Sequence, residues 1–238
     1  MKEIKVSVII PAYNEEKSIG RIIKDVDQIF SDNYKNYEII IVDDASTDNT
    51  LKICDGLKKN YEKVRVYSNA KNLGKTKTVL KGFRLTDADI ISFIDADYQY
   101  DPKDLVNVIA GVKSGLDICS GNRKKRHDAL YRKILSIGFN LFNRIMFNIR
   151  IKDVNCGLKA FKKGVMDRIN LKYVNAPWFI DTEVLTRAYN QKMKVGQVDI
   201  RHYHRETGKS KINTLSIVNE TIYHGVLLKF DMIMNKKS

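Results

Sequence analysis

Apolar positions in the first half of the chain fall into two alternating kinds of block. Short apolar runs at 5–11, 37–42, 64–67, 90–94 and 117–120 are bounded too tightly for helices, so they read as strands, and the continuous Val and Ile of the first two imply burial on both faces. Between the first two, Ile19, Ile22, Ile23, Val26, Ile29 and Phe30 recur at helical spacing over 15–30. A second helix is predicted from a Ser46 or Asp48 cap to about 60, a third over 75–85, and a fourth beginning at Pro102. Strand and helix in strict alternation predict an α/β fold with a mostly parallel sheet covered on both faces.

After residue 123 the rhythm changes. Residues 124–152 read as one or two amphipathic helices, and 154–161 and 195–203 as strands flanking a helix over 181–191. The last helical pattern covers 212–234. No internal repeat or low-complexity tract interrupts the chain, and 238 residues with 3 prolines suit one large domain without long linkers.

Charge narrows the partners. The 42 Lys and Arg exceed the 28 Asp and Glu by 14, which calls for an anionic partner. Eight of the basic residues and one acid, Asp128, fall within 123–150, interleaved with Ile134, Leu135, Ile137, Leu141, Phe142, Ile145 and Phe147. That mixture suits an anionic membrane surface better than a nucleic-acid groove. No nucleic-acid-binding motif is present, and nucleic acid is not expected as a partner. Cys54, Cys119 and Cys156 have no CxxC spacing and read as core thiols in a reducing compartment. Without a signal-peptide layout or an apolar run of membrane-spanning length, the expected location is cytoplasmic, peripheral on the cytoplasmic face of the membrane.

The chemistry concentrates where strands end. Ile90 to Ile94 runs into Asp95-Ala96-Asp97-Tyr98-Gln99, two carboxylates one residue apart at the carboxyl edge of a sheet, where open α/β folds bind ligands. Such hard oxygen donors suit Mg²⁺ or Mn²⁺ held partly by substrate phosphates. The other strand ends supply Pro11-Ala12-Tyr13-Asn14-Glu15, Asp43-Asp44-Ala45-Ser46 and Gly121-Asn122-Arg123. An aromatic for a base, acids for base and ribose, metal carboxylates and an Arg for phosphate together describe a nucleoside-diphosphate site. The first loop lacks the glycines of a dinucleotide fingerprint, and Gly74-Lys75-Thr76 lacks the earlier glycine of a P-loop, since Asn69 stands there.

With these motifs, and with Asn72-Leu73-Gly74 and Arg205-Glu206-Thr207-Gly208-Lys209-Ser210-Lys211, the chain resembles the inverting glycosyltransferases of family 2. More narrowly it is similar to their polyprenyl-phosphate hexose synthase branch. The resemblance implies a GT-A fold, with 1–123 as a nucleotide-sugar half and 124–238 as an acceptor- and membrane-facing half. It implies metal-dependent, inverting transfer of mannose or glucose from GDP-mannose or UDP-glucose to a polyprenyl or dolichyl phosphate. By position, Pro11, Tyr13, Glu15, Val42 and Asp44 would hold the nucleoside. Asp95, Ala96, Asp97 and Gln99 would surround metal and diphosphate, Asp97 and Gln99 as the direct ligands. Arg123, Arg205 and Lys211 would meet donor or acceptor phosphate. Asp181 and Glu183 fall where sugar-acceptor relatives carry a base; for a phosphate acceptor they imply a positioning role. The same resemblance leaves open a family 2 enzyme acting on a glycan or lipid hydroxyl. Many relatives continue into C-terminal membrane spans; the sequence here ends at Ser238, which suggests a soluble or peripheral form.

Overall fold

The computed structural model describes residues 3–124, 130–176, 178–203 and 214–234, the side chains of 130–133 and 214–217 excepted. Strands β1 (Val6–Ala12), β2 (Tyr37–Asp43), β3 (Val64–Ser68), β4 (Ile90–Phe93) and β5 (Ile118–Arg123) alternate with helices α1 (Ile19–Asn33), α2 (Thr50–Lys58), α3 (Lys75–Arg84) and α4 (Asp104–Lys113). Then follow α5 (Leu130–Phe147), β6 (Lys159–Lys162), α6 (Val165–Arg168), α7 (Ile180–Asn190), β7 (Val195–Ile200) and α8 (Thr214–Met234). The strands join in the order β3-β2-β1-β4-β6-β5-β7. Every pairing between these strands is parallel except those of β6, which runs antiparallel to both β4 and β5.

Period-two alternation sorts the sheet's side chains onto two covered faces. Val8 and Ile10 of β1 join Ile39 and Ile41 of β2 under Ile22, Val26, Leu105 and Ile109. Ile9 turns the other way, onto Ile91, Phe161, Val79 and Val184. A third cluster ties α5, α7 and α8 together through Phe147, Phe179, Leu185 and Leu228. All three cysteines are buried and unpaired; burial pushes the Cys54 thiol up to about 12 and those of Cys119 and Cys156 up to about 11.

The strands expected in the first half are present, but α1 runs from Ile19 to Asn33 rather than over 15–30 and α2 has Asn49, not Ser46 or Asp48, at its N-cap; the second half departs further. The strand expected over 154–161 begins only at Lys159, because Asn155 and Gly157 belong to a loop that packs under the sheet's carboxyl edge. The strand expected to reach 203 ends at Ile200; His202 continues as a single bridge to Tyr100, their rings 5.5 Å apart. His204 lies outside the described residues. Pro102 opens a turn, with α4 starting at Asp104.

A buried carboxylate braces the opposite, amino edge of the sheet. Glu38 accepts hydrogen bonds from Arg65 (2.9 Å) and Thr86 (2.5 Å) and pairs with Lys5 at 3.1 Å. Burial alone would raise its pKa, but the hydrogen bonds from Thr86, Arg65 and Lys5 outweigh burial and lower it. With the folded value below the unfolded one, the stabilisation is present above the ordinary carboxylate range and is lost as pH falls through the folded value. Glu38→Gln should therefore lose about 1–3 kcal/mol at neutral pH and flatten the acid limb of stability. Denaturant titrations from neutral to acid pH measure this, and identical acid limbs for variant and wild type would refute it.

Candidate active site

Three loops leave the carboxyl edge through left-handed, non-glycine residues: Asn14 (φ 55°) after β1, Ala45 (φ 60°) after β2 and Tyr98 (φ 58°) after β4. Backbone of this kind is held in place by its neighbours, and here the first two loops hold each other. The Asn14 amide donates to Ser46 Oγ (3.0 Å), and the Thr47 amide donates back to Asn14 Oδ1 (2.8 Å). The Glu15 amide donates to Thr50 Oγ1 at 2.8 Å. Tyr98 is anchored away from the edge, its hydroxyl on Asp25 and its ring 4.0 Å beneath the Arg21 guanidinium.

Between these loops opens a cavity of about 430 Å³. From the loop after β1 Pro11, Tyr13 and Glu15 line it, from that after β2 Asp44, and from that after β4 Asp95, Ala96 and Asp97. Tyr13 is 43% exposed, available for stacking. Val42 lies one step behind, buried in β2 opposite Pro11. Gln99 is outside the lining; its amide donates to Asp97 Oδ1 (3.2 Å) and its carbonyl accepts from the Tyr203 amide (2.8 Å).

Asp44 organises the cavity as well as lining it. Its carboxylate accepts from Asn69 Nδ2, the Leu73 amide and the Gly74 amide, each at 2.8 Å. Those bonds shape the turn in which Gly74 takes φ 83°, a value natural to glycine. The turn delivers Lys75, whose Nζ reaches Asp95 Oδ1 at 2.5 Å and Oδ2 at 2.7 Å. Desolvation lowers the Lys75 pKa, but the charge and hydrogen bond of Asp95, then Asp181 and Asp97, outweigh it, and the net shift is upward.

Asp95 is backed by a loop with no room to spare. A Cβ built on Gly157 would meet Asp95 Oδ2 at 2.6 Å and Tyr100 Cε2 at 3.0 Å. The Gly157 amide donates to the Tyr100 hydroxyl at 2.9 Å, and burial pushes the pKa of that tyrosine well up. The donor set fits a divalent cation: hard carboxylate oxygens from Asp95 and Asp97, with an ammonium already drawn onto Asp95. Among the described residues no group of three or more His, Cys, Asp or Glu could hold a metal alone. Two carboxylates are what Mg²⁺ typically takes when phosphates complete its shell.

Among the described residues, those expected from the second half of the chain lie outside that lining. Asp181 is partly exposed in the first turn of α7, and its Oδ1 lies 2.8 Å from Nζ of Lys159, which is fully buried. Glu183, expected beside it in a positioning role or, for a sugar acceptor, as a base, points the other way. It is fully buried, accepts from the Lys172 and Tyr173 amides (2.8 and 2.9 Å) and pairs with Arg187 at 2.8 Å. Arg123 does not line the cavity; its guanidinium is locked on Asp153 by bonds of 2.6 and 2.8 Å. Arg205 and Lys211 lie outside the described residues. Trp178 is half-buried, its amide donating to Glu220 at 2.9 Å.

Lys75, Gly157, Lys159 and Asp153 all matter here, yet none carried a role in the sequence pattern. Only the turn-forming Asn155 and Gly157 inside an apolar run were a usable signal.

Residues 7–169 match the model of glycosyl transferase family 2, and the chain belongs to that family. Among curated relatives it is 33% identical over 221 residues to a dolichol-phosphate mannosyltransferase of Pyrococcus furiosus, covering 90% of this chain and 61% of that protein. It is 28% identical over 218 residues to the undecaprenyl-phosphate 4-deoxy-4-formamido-L-arabinose transferase of Proteus mirabilis, covering 90% and 65%. The chain thus spans less than two thirds of the length of these relatives. Its fold is that of GT-A glycosyltransferases. It is similar to glucosyl-3-phosphoglycerate synthase from Mycobacterium tuberculosis, solved with Mn²⁺, UDP and phosphoglyceric acid (TM-score 0.67, 18% identity, 95% of this chain and 78% of that one). It is also similar to a mannosyltransferase from Pyrobaculum calidifontis, solved with GDP-mannose and Mn²⁺ (TM-score 0.65, 18% identity, 87% and 59%).

Gly157→Ala should displace Asp95 without unfolding the protein. We expect about 1–3 kcal/mol of lost stability from overpacking and a loss of turnover on the order of 10²-fold from the misplaced carboxylate. Melting curves and steady-state kinetics check both, and wild-type turnover in the variant would show that Asp95 tolerates the shift.

Proposed function

We propose that this protein transfers mannose or glucose from GDP-mannose or UDP-glucose to a polyprenyl or dolichyl phosphate, with inversion, using Mg²⁺ or Mn²⁺. The observation that carries the reading is the convergence of Tyr13, Glu15, Lys75, Asp95 and Asp97 on one cavity. Dolichol-phosphate and undecaprenyl-phosphate transferases among the relatives support the acceptor class. Tyr13 offers a face to the base, and Pro11, Glu15 and the strand end at Val42 and Asp44 border the nucleoside. Asp95 and Asp97 would hold the cation, with Ala96 and Gln99 completing the loop.

Leaving of the nucleoside diphosphate builds negative charge, which a bound divalent cation neutralises. Lys75 supplies a positive charge at the same place, held there by Asp95. A phosphate monoester is substantially dianionic near neutral pH, so the acceptor arrives as a nucleophile and needs cations to approach another anion. Arg205 and Lys211 are proposed for that work, with Arg123 shaping the wall through Asp153.

Incubation with labelled GDP-mannose or UDP-glucose, divalent metal and dolichyl phosphate, followed by partition into organic solvent, tests the reading. Asp97→Asn should lower lipid-linked product by more than about 10²-fold. Label appearing only on a glycan or lipid hydroxyl would replace the acceptor assignment.

The acceptor class demands contact with a membrane, and two helices offer a surface for it. Among the described residues no helix is long and apolar enough to cross a bilayer. On α5, Ile134, Ile137, Leu141 and Ile145 form one stripe, 55–72% exposed. On α8, Ile222, Tyr223, Phe230 and Met234 are 52–66% exposed. Phe142 and Phe147, expected on the outer face, are turned inward: a Cβ on Gly225 would meet Phe142 Cζ at 2.7 Å, and Phe147 is buried. Our reading is a peripheral protein on the anionic cytoplasmic face, held by this stripe and by basic residues around it. Liposome flotation should show binding to anionic vesicles that weakens, without vanishing, as salt rises. Changing Ile137, Ile145 and Phe230 together to Ser should remove the salt-resistant part; unchanged flotation would exclude these helices as the contact.

A further inference from the structure

The described lining of the cavity carries four carboxylates, Glu15, Asp44, Asp95 and Asp97, and a single cationic residue, Lys75. A nucleoside diphosphate adds negative charge to that lining, so it needs cations to offset the repulsion. From this lining the protein can offer a phosphate one ammonium, and that ammonium already has an anion.

The two partners of the pair are mounted differently. Asp95 has no room to turn away: the Gly157 backbone lies so close behind it that a Cβ there would stand 2.6 Å from Oδ2. Lys75 is fixed only at its root. It opens α3 directly after Gly74, whose amide donates to Asp44 and whose carbonyl accepts from the Thr78 amide at 3.1 Å. Beyond the root it is a flexible stem of four methylenes, its side chain 48% exposed against 22% for Asp95. Its Nζ lies astride the carboxylate, 2.5 Å from Oδ1 and 2.7 Å from Oδ2. Those are the hard oxygens that a divalent cation would use at this residue.

We propose that Lys75 is a resident counter-ion of Asp95, exchanged for the divalent cation, and that the displaced ammonium passes to the donor diphosphate. One cation replaces another; no proton moves and no covalent bond changes. The exchange makes one side chain couple two ligands. Without a diphosphate, a displaced Lys75 has no anion to receive it. Without a divalent cation, Lys75 stays on Asp95 and is not offered to a phosphate. Each ligand therefore removes the obstacle to the other, and by linkage each tightens the other by the same factor. This deepens the metal-dependent, nucleotide-sugar reading of the cavity and rests on it.

The test measures binding and needs no turnover. Free Mn²⁺ is followed by electron paramagnetic resonance and GDP or UDP by calorimetry, each ligand alone and in the presence of the other. Wild type, Lys75→Met, Asp95→Asn and the double variant are compared on material shown to be folded by circular dichroism. Lys75→Met should bind Mn²⁺ alone about 10-fold more tightly than wild type, and the nucleotide in Mn²⁺ about 10-fold less tightly, with the nucleotide alone unchanged. The coupling factor between the two ligands should thus fall about 10-fold, leaving the part due to their direct contact. A charge acting only through space would shift each affinity and leave the coupling as it was, so an unchanged coupling factor would overturn the exchange. Asp95→Asn answers without any change at Lys75: its freed ammonium should tighten metal-free nucleotide binding, and no gain would overturn the proposal. In the double variant that gain should disappear; a gain that persisted would belong to the lost carboxylate charge and would also overturn it. Wild type that binds neither GDP nor UDP in Mn²⁺ would instead overturn the underlying reading of the cavity.

Discussion

The insertion of one antiparallel strand governs the architecture of the site. Because β6 lies between β4 and β5 and runs against both, its entrance falls at the edge where the parallel strands end. The segment leading into it is therefore folded against the loop that carries Asp95 and Asp97. In a wholly parallel sheet that edge would receive only strand exits. Here it also receives residues 153–159, which supply a partner for Arg123, a side-chain-free approach behind Asp95, and the ammonium that holds Asp181. A chain break in hydrogen bonding at β6 would loosen all three together.

The loops on the other side of the cavity achieve order by mutual constraint. Asn14, Ala45 and Tyr98 each adopt a backbone that costs on the order of 1 kcal/mol or more for a residue with a side chain, and each sits two to five residues beyond a strand. The Asn14–Ser46–Thr47 exchange holds two of them, and the Asp25 and Arg21 contacts hold the third. Order of this kind lets binding energy go into the ligand rather than into arranging the loops.

How much of this was legible depended on the range of the interaction. Strands and helices through Arg123 follow from local periodicity, and Asp95-x-Asp97 at a strand end announces itself because the run before it has nowhere to go but the sheet. Glu183 shows the limit of spacing alone. Two acids at i and i+2 share a face on a strand, but on a helix they point apart, and α7 leaves Asp181 partly exposed on Lys159 while turning Glu183 into the interior. Arg123 was legible as a cation but not as one already engaged, because Asp153 is 30 residues away. Lys159 was the least visible. In Lys159-Ala160-Phe161-Lys162 it looks like a solvated strand charge, and only the sheet order brings Asp181 over it. Phe142 and Phe147 were read with the membrane surface from composition, whereas Phe142 packs on Gly225 of α8 and Phe147 on Phe179.

The three thiols give the molecule a practical property. Buried, and with values raised to about 11 or 12, they hold almost no thiolate at neutral pH, the form that reacts with alkylating reagents and oxidants. Cys156 stands next to Gly157 in the wall behind Asp95, yet it is as sheltered as the others. The folded protein is therefore chemically silent toward maleimides, and a single cysteine placed on its surface would report alone, as a spectroscopic label against a dark background.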